Sequence, residues 1–390
     1  MQQHRIIVLG AGYAGAIAAG RLAKRLRRED VAITLVNAEP DFVERVRMHQ
    51  LATGQTLKPR PFSAMLAGTG VQLRIAKVTA VDVERRTVTA GGEELGYDTL
   101  VYALGSGWNA QGVPGTAEHA HELASRSGAL RLRDRLARLD AGQPVVVVGG
   151  GLTGLEAATE IAEARPDLEV ALAARGELGD WLSDKGRTHL RKVAARLGIT
   201  VHEHTAVARV EADAVVTADG RTIPAAVTVW TAGFAVHPIA QASGLEVTDT
   251  GRIVVDGTMR SVSHPEVYAV GDAAFAMGAG DKPLRMSCAS GTPMAWQAAD
   301  AIAARLTGGK LPNVPLRYFN QCISLGRKEG LIQYVTADDR AVSAVLTGRL
   351  AAVYKELICK GAAWGVANPT LGMPTRRHPV TVESTVGATA

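Results

Sequence analysis

Short apolar runs, each followed by glycines and then by an alanine- and leucine-rich stretch, recur along the chain. Residues 6–9 are all apolar, residues 10–15 hold three glycines, and residues 16–28 have a helical composition. A second apolar run follows at residues 31–36. Because a short apolar run bounded by turn residues is typical of a buried strand, this order predicts a β-α-β unit.

The same order appears again further along. Residues 145–148 are apolar, residues 149–154 are rich in glycine, and a helical stretch precedes another apolar run at residues 170–173. Each unit is followed by short strands with turn signals and then by a strand that ends at a glycine, Gly105 in the first half and Gly233 in the second. We therefore predict an internal duplication of α/β type.

Both glycine-rich stretches match the pattern G-x-G-x-x-G between a strand and a helix. The glycines concerned are Gly10, Gly12 and Gly15 in the first and Gly149, Gly151 and Gly154 in the second. In this context the first glycine permits a tight turn, the second lets a pyrophosphate reach the helix N-terminus, and the third lets the helix pack on the strand. We predict two dinucleotide sites, the alternative being glycine-rich turns that only pack a helix on a sheet.

The residue at the end of the second strand of such a unit usually holds the ribose hydroxyls through a carboxylate. Asn37 occupies this position in the first unit, with Glu39 two residues later, whereas Ala174 and Arg175 stand there in the second. An amide can still pair with a hydroxyl, and a guanidinium can bind a 2′-phosphate. The second site therefore favours NADPH, unless Arg175 is a solvated surface residue.

Composition and charge narrow the classes further. The chain has 390 residues, which predicts two or three domains, and its net charge of +5 is far below that of a dedicated nucleic-acid binder. Its 42 glycines against 4% aromatic residues favour close backbone approach. The three cysteines match neither a disulfide framework nor a metal-ligand spacing, and no apolar run is long enough to span a bilayer. We expect a cytoplasmic protein without a metal or a nucleic-acid partner.

Two further runs complete a family pattern. Residues 229–233 read Val-Trp-Thr-Ala-Gly before His237 and Pro238, and residues 267–273 read Val-Tyr-Ala-Val-Gly-Asp-Ala. With the two glycine-rich runs, they make residues 6–305 resemble the pyridine nucleotide-disulfide oxidoreductase-like flavoproteins. Within that family the chain is most similar to the type II NADH dehydrogenase branch.

The resemblance implies two Rossmann-like domains, with FAD at the first glycine-rich run and NAD(P)H at the second. An FAD domain of residues 1–110 and 250–312 would be interrupted by an NAD(P)H domain of residues 111–249. A small C-terminal α+β segment would follow at residues 313–368, and a flexible tail at residues 369–390.

The same resemblance implies the residues that contact the cofactors. Asp272 would accept hydrogen bonds from the ribityl chain, the alternative being a cap on the next helix. The expected cofactor-binding residues are Gly10, Gly12, Ala14, Gly15, Asn37, Ala38, Glu39, Arg45, Val78, Ala103, Gly105, Gly271, Asp272, Gly149, Gly151, Thr153, Gly154, Arg175 and Gly233.

The chain departs from the family's quinone reductases just before residues 50–54, which read Gln-Leu-Ala-Thr-Gly. Where an apolar wall is expected, it has Arg45, Arg47 and His49. These side chains could bind an anionic or polar acceptor or a flavin phosphate, or form a basic helix face in water. We take His49 as a candidate catalytic residue, together with Glu156, which matches a family glutamate near the meeting point of nicotinamide and flavin. An exposed helix carboxylate is the alternative for Glu156.

Beyond residue 312 apolar residues recur at helical spacing between Leu346 and Ile358, with basic residues among them. In type II NADH dehydrogenases the corresponding segment forms dimer contacts and a peripheral membrane attachment. A homodimer contact, a peripheral membrane contact at the inner face of the membrane and packing on the chain's own core are therefore the alternatives for this helix.

Together these features predict an FAD-dependent oxidoreductase. It would transfer a hydride from NAD(P)H to the flavin and then electrons to a quinone or another small organic acceptor. A flavoenzyme that tailors a natural product on the same fold, and a flavin-bound redox sensor or partner-binding module, are the alternatives.

Overall fold

The computed structural model describes residues 3–369 and 377–381. Within these ranges the α-helices are α1 (Tyr13–Arg25), α2 (Met48–Ala52), α3 (Phe62–Met65), α4 (Thr116–His119), α5 (Arg126–Leu136), α6 (Leu152–Ala164), α7 (Asp184–Arg196), α8 (Ile239–Ala242), α9 (Cys288–Thr307) and α10 (Gly348–Ala367). Short 3-10 helices occur at Arg45–Arg47, Gly271–Ala273 and Ala279–Asp281.

The strands of the first half are β1 (His4–Leu9), β2 (Val31–Asn37), β3 (Gln72–Ile75), β4 (Val78–Asp82), β5 (Thr87–Ala90), β6 (Glu93–Gly96), β7 (Thr99–Tyr102), β8 (Ser106–Trp108), β9 (Ala120–Glu122), β10 (Pro144–Val148) and β11 (Glu169–Ala173). Those of the second half are β12 (Thr200–His202), β13 (Val207–Val210), β14 (Ala214–Thr217), β15 (Thr222–Pro224), β16 (Val227–Trp230), β17 (Phe234–Val236), β18 (Ile253–Val254), β19 (Val267–Ala269), β20 (Ala274–Phe275), β21 (Asn320–Ser324), β22 (Gly330–Val335) and β23 (Ala341–Thr347).

The first parallel sheet has the strand order β19-β7-β1-β2-β3. Its central strand β1 pairs with β2 on one side and with β7 on the other, and its apolar residues are buried on both faces because helices cover them. The edge strand β19 comes from a point far along the chain. This sheet is therefore assembled from two separate segments of the sequence.

The second parallel sheet has the order β12-β11-β10-β16-β9 and lies between those two segments in the sequence. Residues 145–148 of β10 are buried, as the apolar run predicts. A three-stranded antiparallel meander follows each α/β unit, β4-β5-β6 in the first and β13-β14-β15 in the second. The α/β class with two Rossmann-like sheets is confirmed, and the duplication seen in the sequence is a duplication of structure.

The C-terminal segment forms an antiparallel sheet, β21-β22-β23, against which α10 packs. The tail predicted for residues 369–390 lies mostly outside the described residues. Its described residues are 369 and 377–381. The latter hydrogen-bond to the ends of α1 and α9, which pack on each other: His378 N donates to Arg25 O at 2.9 Å, and Thr381 N donates to Leu306 O at 2.9 Å.

Helix α10 has an apolar face that the monomer leaves uncovered. Leu350, Val353 and Leu357 are all more than half exposed, and Trp364 is 56% exposed. The helix packs on the chain's own core through its other face, with Ala351, Cys359, Ala363 and Val366 buried, while the exposed face has no partner among the described residues. No helix within residues 3–369 and 377–381 is both long enough and apolar enough to cross a bilayer.

Candidate functional site

A cavity of about 590 Å³ lies beside the carboxyl ends of the first sheet's central strands and extends to α6 and the C-terminal sheet. Its volume falls in the range of small-molecule sites. Residues from all parts of the chain line it. Those used below are Gly12, Ala14, Asn37, Glu39, Arg45, His49, Ala103, Gly105, Leu152, Thr153, Glu156, Phe234, Gly271, Asp272, Arg285, Cys288, Gln321, Cys322, Lys355 and Ile358.

The first glycine-rich loop joins β1 to α1 and opens into this cavity. Gly10 has a φ of +88°, and a Cβ on Gly15 would overlap the carbonyl oxygen of Gly10, so both positions need glycine for the chain itself. Gly12 is different: it caps α1, and nothing lies within 4 Å of where its Cβ would be. The loop therefore leaves a cradle at the helix N-terminus that an anionic group can enter.

The second loop repeats this geometry between β10 and α6. A Cβ on Gly154 would overlap the carbonyl oxygen of Gly149, whereas nothing lies within 4 Å of a Cβ on Gly151, which caps α6. Gly149 has a φ of +122°. Of the residues around this loop, Leu152 and Thr153 line the large cavity. The two cradles thus share one geometry, and the helix that follows the second one contributes to the cavity wall.

Asn37 and Glu39, the residues predicted to lie at a ribose, differ in their contacts. Asn37 Oδ1 accepts a hydrogen bond from Ala11 N at 2.9 Å, and its Nδ2 donates to Glu39 O at 2.8 Å. The Asn37 amide thus fixes the glycine loop. The Glu39 carboxylate, which lines the cavity and is exposed, is left to bind hydroxyls.

At the corresponding place in the second unit, Arg175 Nη2 donates to Gln111 Oε1 at 3.3 Å. The side chain of Gln111 also packs against Gly233: a Cβ added to Gly233 would lie 2.5 Å from Gln111 Nε2. Arg175 and Gly233 therefore lie on either side of one side chain, on the edge of the second loop.

Asp272 does not cap the next helix. Its Oδ2 accepts a hydrogen bond from Ser106 Oγ at 2.7 Å, and Arg45 Nη1 lies 3.4 Å away. Arg45 also donates to Ser106 O at 2.8 Å and stacks over Phe234, with 4.8 Å from its Cζ to the ring centroid. Burial lowers the pKa of Arg45, and its Nη2 has no partner among the described residues. A buried unpaired donor and a carboxylate on the same wall fit a polyhydroxylated or phosphorylated ligand.

Glu156, Lys355 and His49 form a charged cluster that also lines the cavity. Glu156 Oε1 lies 3.0 Å from Lys355 Nζ and accepts a hydrogen bond from Ser324 N at 3.1 Å, and Glu156 Oε2 lies 3.8 Å from His49 Nδ1. Burial disfavours the charge of Lys355, but the pair with Glu156 outweighs it and raises the pKa of Lys355. Burial likewise opposes the charge of Glu156, yet Lys355 holds its pKa below the usual range. Glu156 is thus a buried, paired carboxylate and not an exposed one.

His49 is buried, and burial lowers its pKa to about 4. The imidazole is therefore neutral near pH 7. Its Nε2 has no partner within the part of the chain that the structure describes, and the residue lines the cavity. This nitrogen is available to a bound molecule.

Some predicted residues lie elsewhere. Val78 is buried at the start of β4 and does not line the cavity, nor does Ala38. Arg47 is neither a cavity residue nor a basic group in water. It is buried, and it pairs with Glu44 at 3.1 Å and with Glu356 of α10 at 2.8 Å.

Other cavity residues gave little or no signal in the sequence. Cys288 and Cys322 both line the cavity, and burial raises their pKa values, that of Cys322 to about 11, so both are thiols at neutral pH. Lys355 and Arg285 were not expected there. A basic residue within an amphipathic helix, and another in a loop, match no local motif, so only the tertiary structure brings them to the site.

The chain is similar to a known protein family and to individual proteins of known type. The family model described as pyridine nucleotide-disulphide oxidoreductase matches residues 4–303. An NADH dehydrogenase-like protein of Mycobacterium tuberculosis is 31% identical over 317 residues, covering 74% of this chain and 78% of the relative. A type II NADH:quinone oxidoreductase of the same organism is 28% identical over 321 residues, covering 71% and 67%.

Among solved structures, the sulfide:quinone oxidoreductase of Aquifex aeolicus superposes with a TM-score of 0.80 at 20% identity, covering 95% of this chain and 93% of that one. This likeness shows a shared fold over nearly the whole of both chains.

Proposed function

The chain belongs to the pyridine nucleotide-disulphide oxidoreductase family and is an oxidoreductase; from this premise we propose that it takes electrons from NAD(P)H and passes them through FAD to a quinone or another small organic acceptor. One observation carries the proposal. Two glycine cradles share one geometry: Gly12 of the first lines the cavity, and the helix that begins at Gly151 of the second lines the same cavity through Leu152, Thr153 and Glu156. A donor and an acceptor of electrons could thus be held close together.

FAD and NAD(P)H are the cofactors of this family. The residues of the first cradle fit FAD: Gly12 leaves room for a pyrophosphate, Glu39 offers a carboxylate to ribose hydroxyls, and Asp272 with Arg45 offers a polar wall beyond. When bound there, FAD would supply the exchange of a hydride for single or paired electrons that no side chain can perform.

For the nicotinamide cofactor we propose the second cradle, with Gly151 at the pyrophosphate and Thr153 at the cavity wall. Ala174 leaves no carboxylate to repel a 2′-phosphate, and the exposed Arg175 offers a guanidinium beside it. The site therefore favours NADPH over NADH.

Glu156, Lys355 and His49 would act on the acceptor. Reducing a quinone to a quinol consumes two protons as well as two electrons, and NAD(P)H supplies only one hydride. The Glu156–Lys355 pair would provide a charged wall of fixed geometry. The neutral His49 could form a hydrogen bond at Nε2 with an acceptor oxygen, and the second proton would come from solvent, because a neutral imidazole that gave up its proton would be left as an imidazolate.

The exposed apolar face of α10 is compatible with either surface contact expected from the sequence, a membrane or a second copy of the chain. Ile358, on the same helix, lines the cavity and is 45% exposed. A contact on this face would therefore lie next to the entrance through which an acceptor arrives.

The proposal is tested on the purified protein by its absorption spectrum, by anaerobic stopped-flow mixing with NADH and NADPH, and by a panel of acceptors. We expect bound FAD, its bleaching by NAD(P)H, and repeated turnover with quinones. A protein that binds no flavin, or a bound flavin that neither nicotinamide bleaches, would overturn it. Bleaching by an organic substrate in place of NAD(P)H would indicate a tailoring enzyme, and a single reduction without turnover would indicate a sensor.

A further inference from the structure

Arg285 places a guanidinium at the end of the cavity next to the C-terminal sheet. It lies in the loop before α9, whose N-terminal cap is Ser287, and its side chain is 31% exposed. Ser287, Cys288 and Gln321 line the same end. The side chain of Arg285 contacts Asp339 and Tyr318, neither of which is among the residues proposed above to bind a dinucleotide.

The guanidinium is held in a fixed orientation by two contacts. Arg285 Nη2 donates a hydrogen bond to Asp339 Oδ1 at 3.2 Å, and Arg285 Nε lies 2.5 Å from Asp339 Oδ2 as an ion pair that is not aligned as a hydrogen bond. The ring of Tyr318 lies 4.5 Å from Arg285 Cζ to its centroid. Tyr318 Oη also accepts a hydrogen bond from Arg285 N at 2.7 Å. The edge of the guanidinium formed by Nε and Nη2 thus faces Asp339, while Nη1 has no partner among the described residues.

The residues that hold Arg285 are themselves fixed by further contacts. Asp339 has a φ of +70° in the turn between β22 and β23, a left-handed conformation that residues other than glycine rarely adopt. Gln321 Nε2 donates to Asp339 Oδ1 at 3.1 Å, while Gln321 Oε1 is buried without a partner in the part of the chain that the structure describes. Arg285 Nη1, on a partly exposed side chain, and the buried Gln321 Oε1 therefore have no partner among the described residues, and both residues line the cavity.

We infer that this end of the cavity recognises an acidic substituent on the electron acceptor, a carboxylate, a sulfonate or an ionised hydroxyl, which Arg285 binds through Nη1. The inference rests on the proposed function, since it names the class of acceptor for the same site. Because Asp339 already balances the charge of Arg285, the recognition acts at short range through a directed charge-assisted hydrogen bond and not through a long-range field. The Gln321 oxygen adds a place for a neighbouring hydroxyl.

The experiment compares two acceptors that share a naphthoquinone ring, 1,4-naphthoquinone-2-sulfonate and the neutral 2-methyl-1,4-naphthoquinone. The quantity measured is the ratio of kcat/KM for the anionic acceptor to that for the neutral one. Losing one hydrogen bond to a charged group lowers this ratio about tenfold in Arg285→Gln. Arg285→Lys keeps the positive charge but lacks the planar guanidinium with its several N–H donors. This variant should therefore retain only part of the wild-type ratio. Asp339→Asn releases the orientation of Arg285 and should lower the ratio as well.

Arg317→Gln is the matched control, because Arg317 is exposed, lies close in sequence to Tyr318 and does not line the cavity. A binding measurement without turnover accompanies the kinetics: calorimetric titration of the oxidised protein with naphthalene-2-sulfonate should show about tenfold weaker binding in Arg285→Gln than in Arg317→Gln. The flavin content and the thermal midpoint of each variant are measured first. If Arg285→Gln does not fold, the ratios of Arg285→Lys and Asp339→Asn test the inference.

An unchanged ratio in the Arg285 and Asp339 variants, or an equal change in Arg317→Gln, would overturn the inference while leaving the proposed function intact. The proposed function fails separately, if NAD(P)H does not reduce flavin bound to the wild-type protein.

Discussion

Lys355 Nζ lies 3.0 Å from Glu156 Oε1; the Glu156 side chain is buried and that of Lys355 is 16% exposed. The pair joins α10, near the end of the chain, to α6, which begins at the second glycine loop. Lys355 Nζ also donates to Cys322 O at 3.0 Å, so the same ammonium anchors the C-terminal sheet. One ion pair thus fixes the C-terminal segment to the cavity wall.

Removing one partner of this pair should destabilise the protein strongly. We expect Lys355→Met to lower the free energy of unfolding by about 3–5 kcal/mol, because it leaves the Glu156 carboxylate buried and uncompensated. The double variant Glu156→Gln/Lys355→Met should regain most of that loss. Urea unfolding of Lys355→Met, of Glu156→Gln and of the double variant, treated as a double-mutant cycle, measures the coupling free energy between the two side chains.

Lys360→Met is the control, because Lys360 lies on the same helix and its pair with Glu356 is largely exposed, with Lys360 67% exposed. It should change stability by less than about 1 kcal/mol. Equal losses of unfolding free energy in Lys355→Met and Lys360→Met would show that the Glu156–Lys355 pair contributes no more to stability than an exposed pair.

The glycines of each loop should separate into two kinds. Gly12→Ala and Gly151→Ala place a methyl group in open space, so the protein should fold, whereas Gly15→Ala and Gly154→Ala force a clash with the loop's own carbonyl oxygen and should destabilise it. Of the two tolerated variants, Gly12→Ala should lose at least about tenfold in FAD affinity, since a methyl group blocks a close phosphate contact.

Gly151→Ala should keep FAD and instead weaken reduction of the flavin by NAD(P)H. Each variant is the control for the other, with flavin content and the stopped-flow reduction rate as the two measurements. Loss of FAD from Gly151→Ala with retention in Gly12→Ala would reverse the assignment of the two cradles.

The glycine loops could be predicted from the sequence because their geometry is local. A strand, three glycines and a helix are contiguous in the chain, and the positive φ at Gly10 and Gly149 follows from that spacing. The parallel sheets follow for the same reason, since buried strands alternate with helices.

Charged side chains could not be placed in this way. Arg45 and Arg47 lie two residues apart, yet Arg45 lines the cavity and Arg47 is buried against Glu356 of α10. What separates them is a partner far away in the sequence. Lys355 and Asp339 reach the site for the same kind of reason, and no local pattern marks them.

The choice of nicotinamide should depend on Arg175. If its guanidinium binds a 2′-phosphate, Arg175→Ala should lower kcat/KM for NADPH by about ten- to a hundredfold and change the value for NADH by no more than a few-fold. Steady-state kinetics with both nicotinamides measures this. Arg138→Ala, at an exposed arginine after α5, is the control. A wild-type protein that does not prefer NADPH would remove the basis for this role.

Glu160 should make stability depend on pH. It lies on α6, is 1% exposed, and burial raises its pKa to about 7 even though Arg327 opposes the shift. Its Oε2 has no partner among the described residues, while its Oε1 accepts a hydrogen bond from Gln55. Because the folded state holds this proton more tightly than the unfolded state, whose pKa is near 4.5, stability falls as pH rises from about 4.5 to 7.

Glu160→Gln removes this titration and can still accept the hydrogen bond from Gln55. We expect the variant and the wild type to be similar in stability at pH 5, and the variant to be more stable at pH 8 by up to about 3 kcal/mol, the value of a shift from 4.5 to about 7. Urea unfolding at the two pH values gives the difference. Glu169→Gln, at an exposed carboxylate at the start of β11, should show no such change between the two pH values. If Glu160→Gln is no more stable than wild type at pH 8, then ionised Glu160 does not destabilise the folded protein. The prediction that the pKa of Glu160 is raised in the folded state would then be wrong.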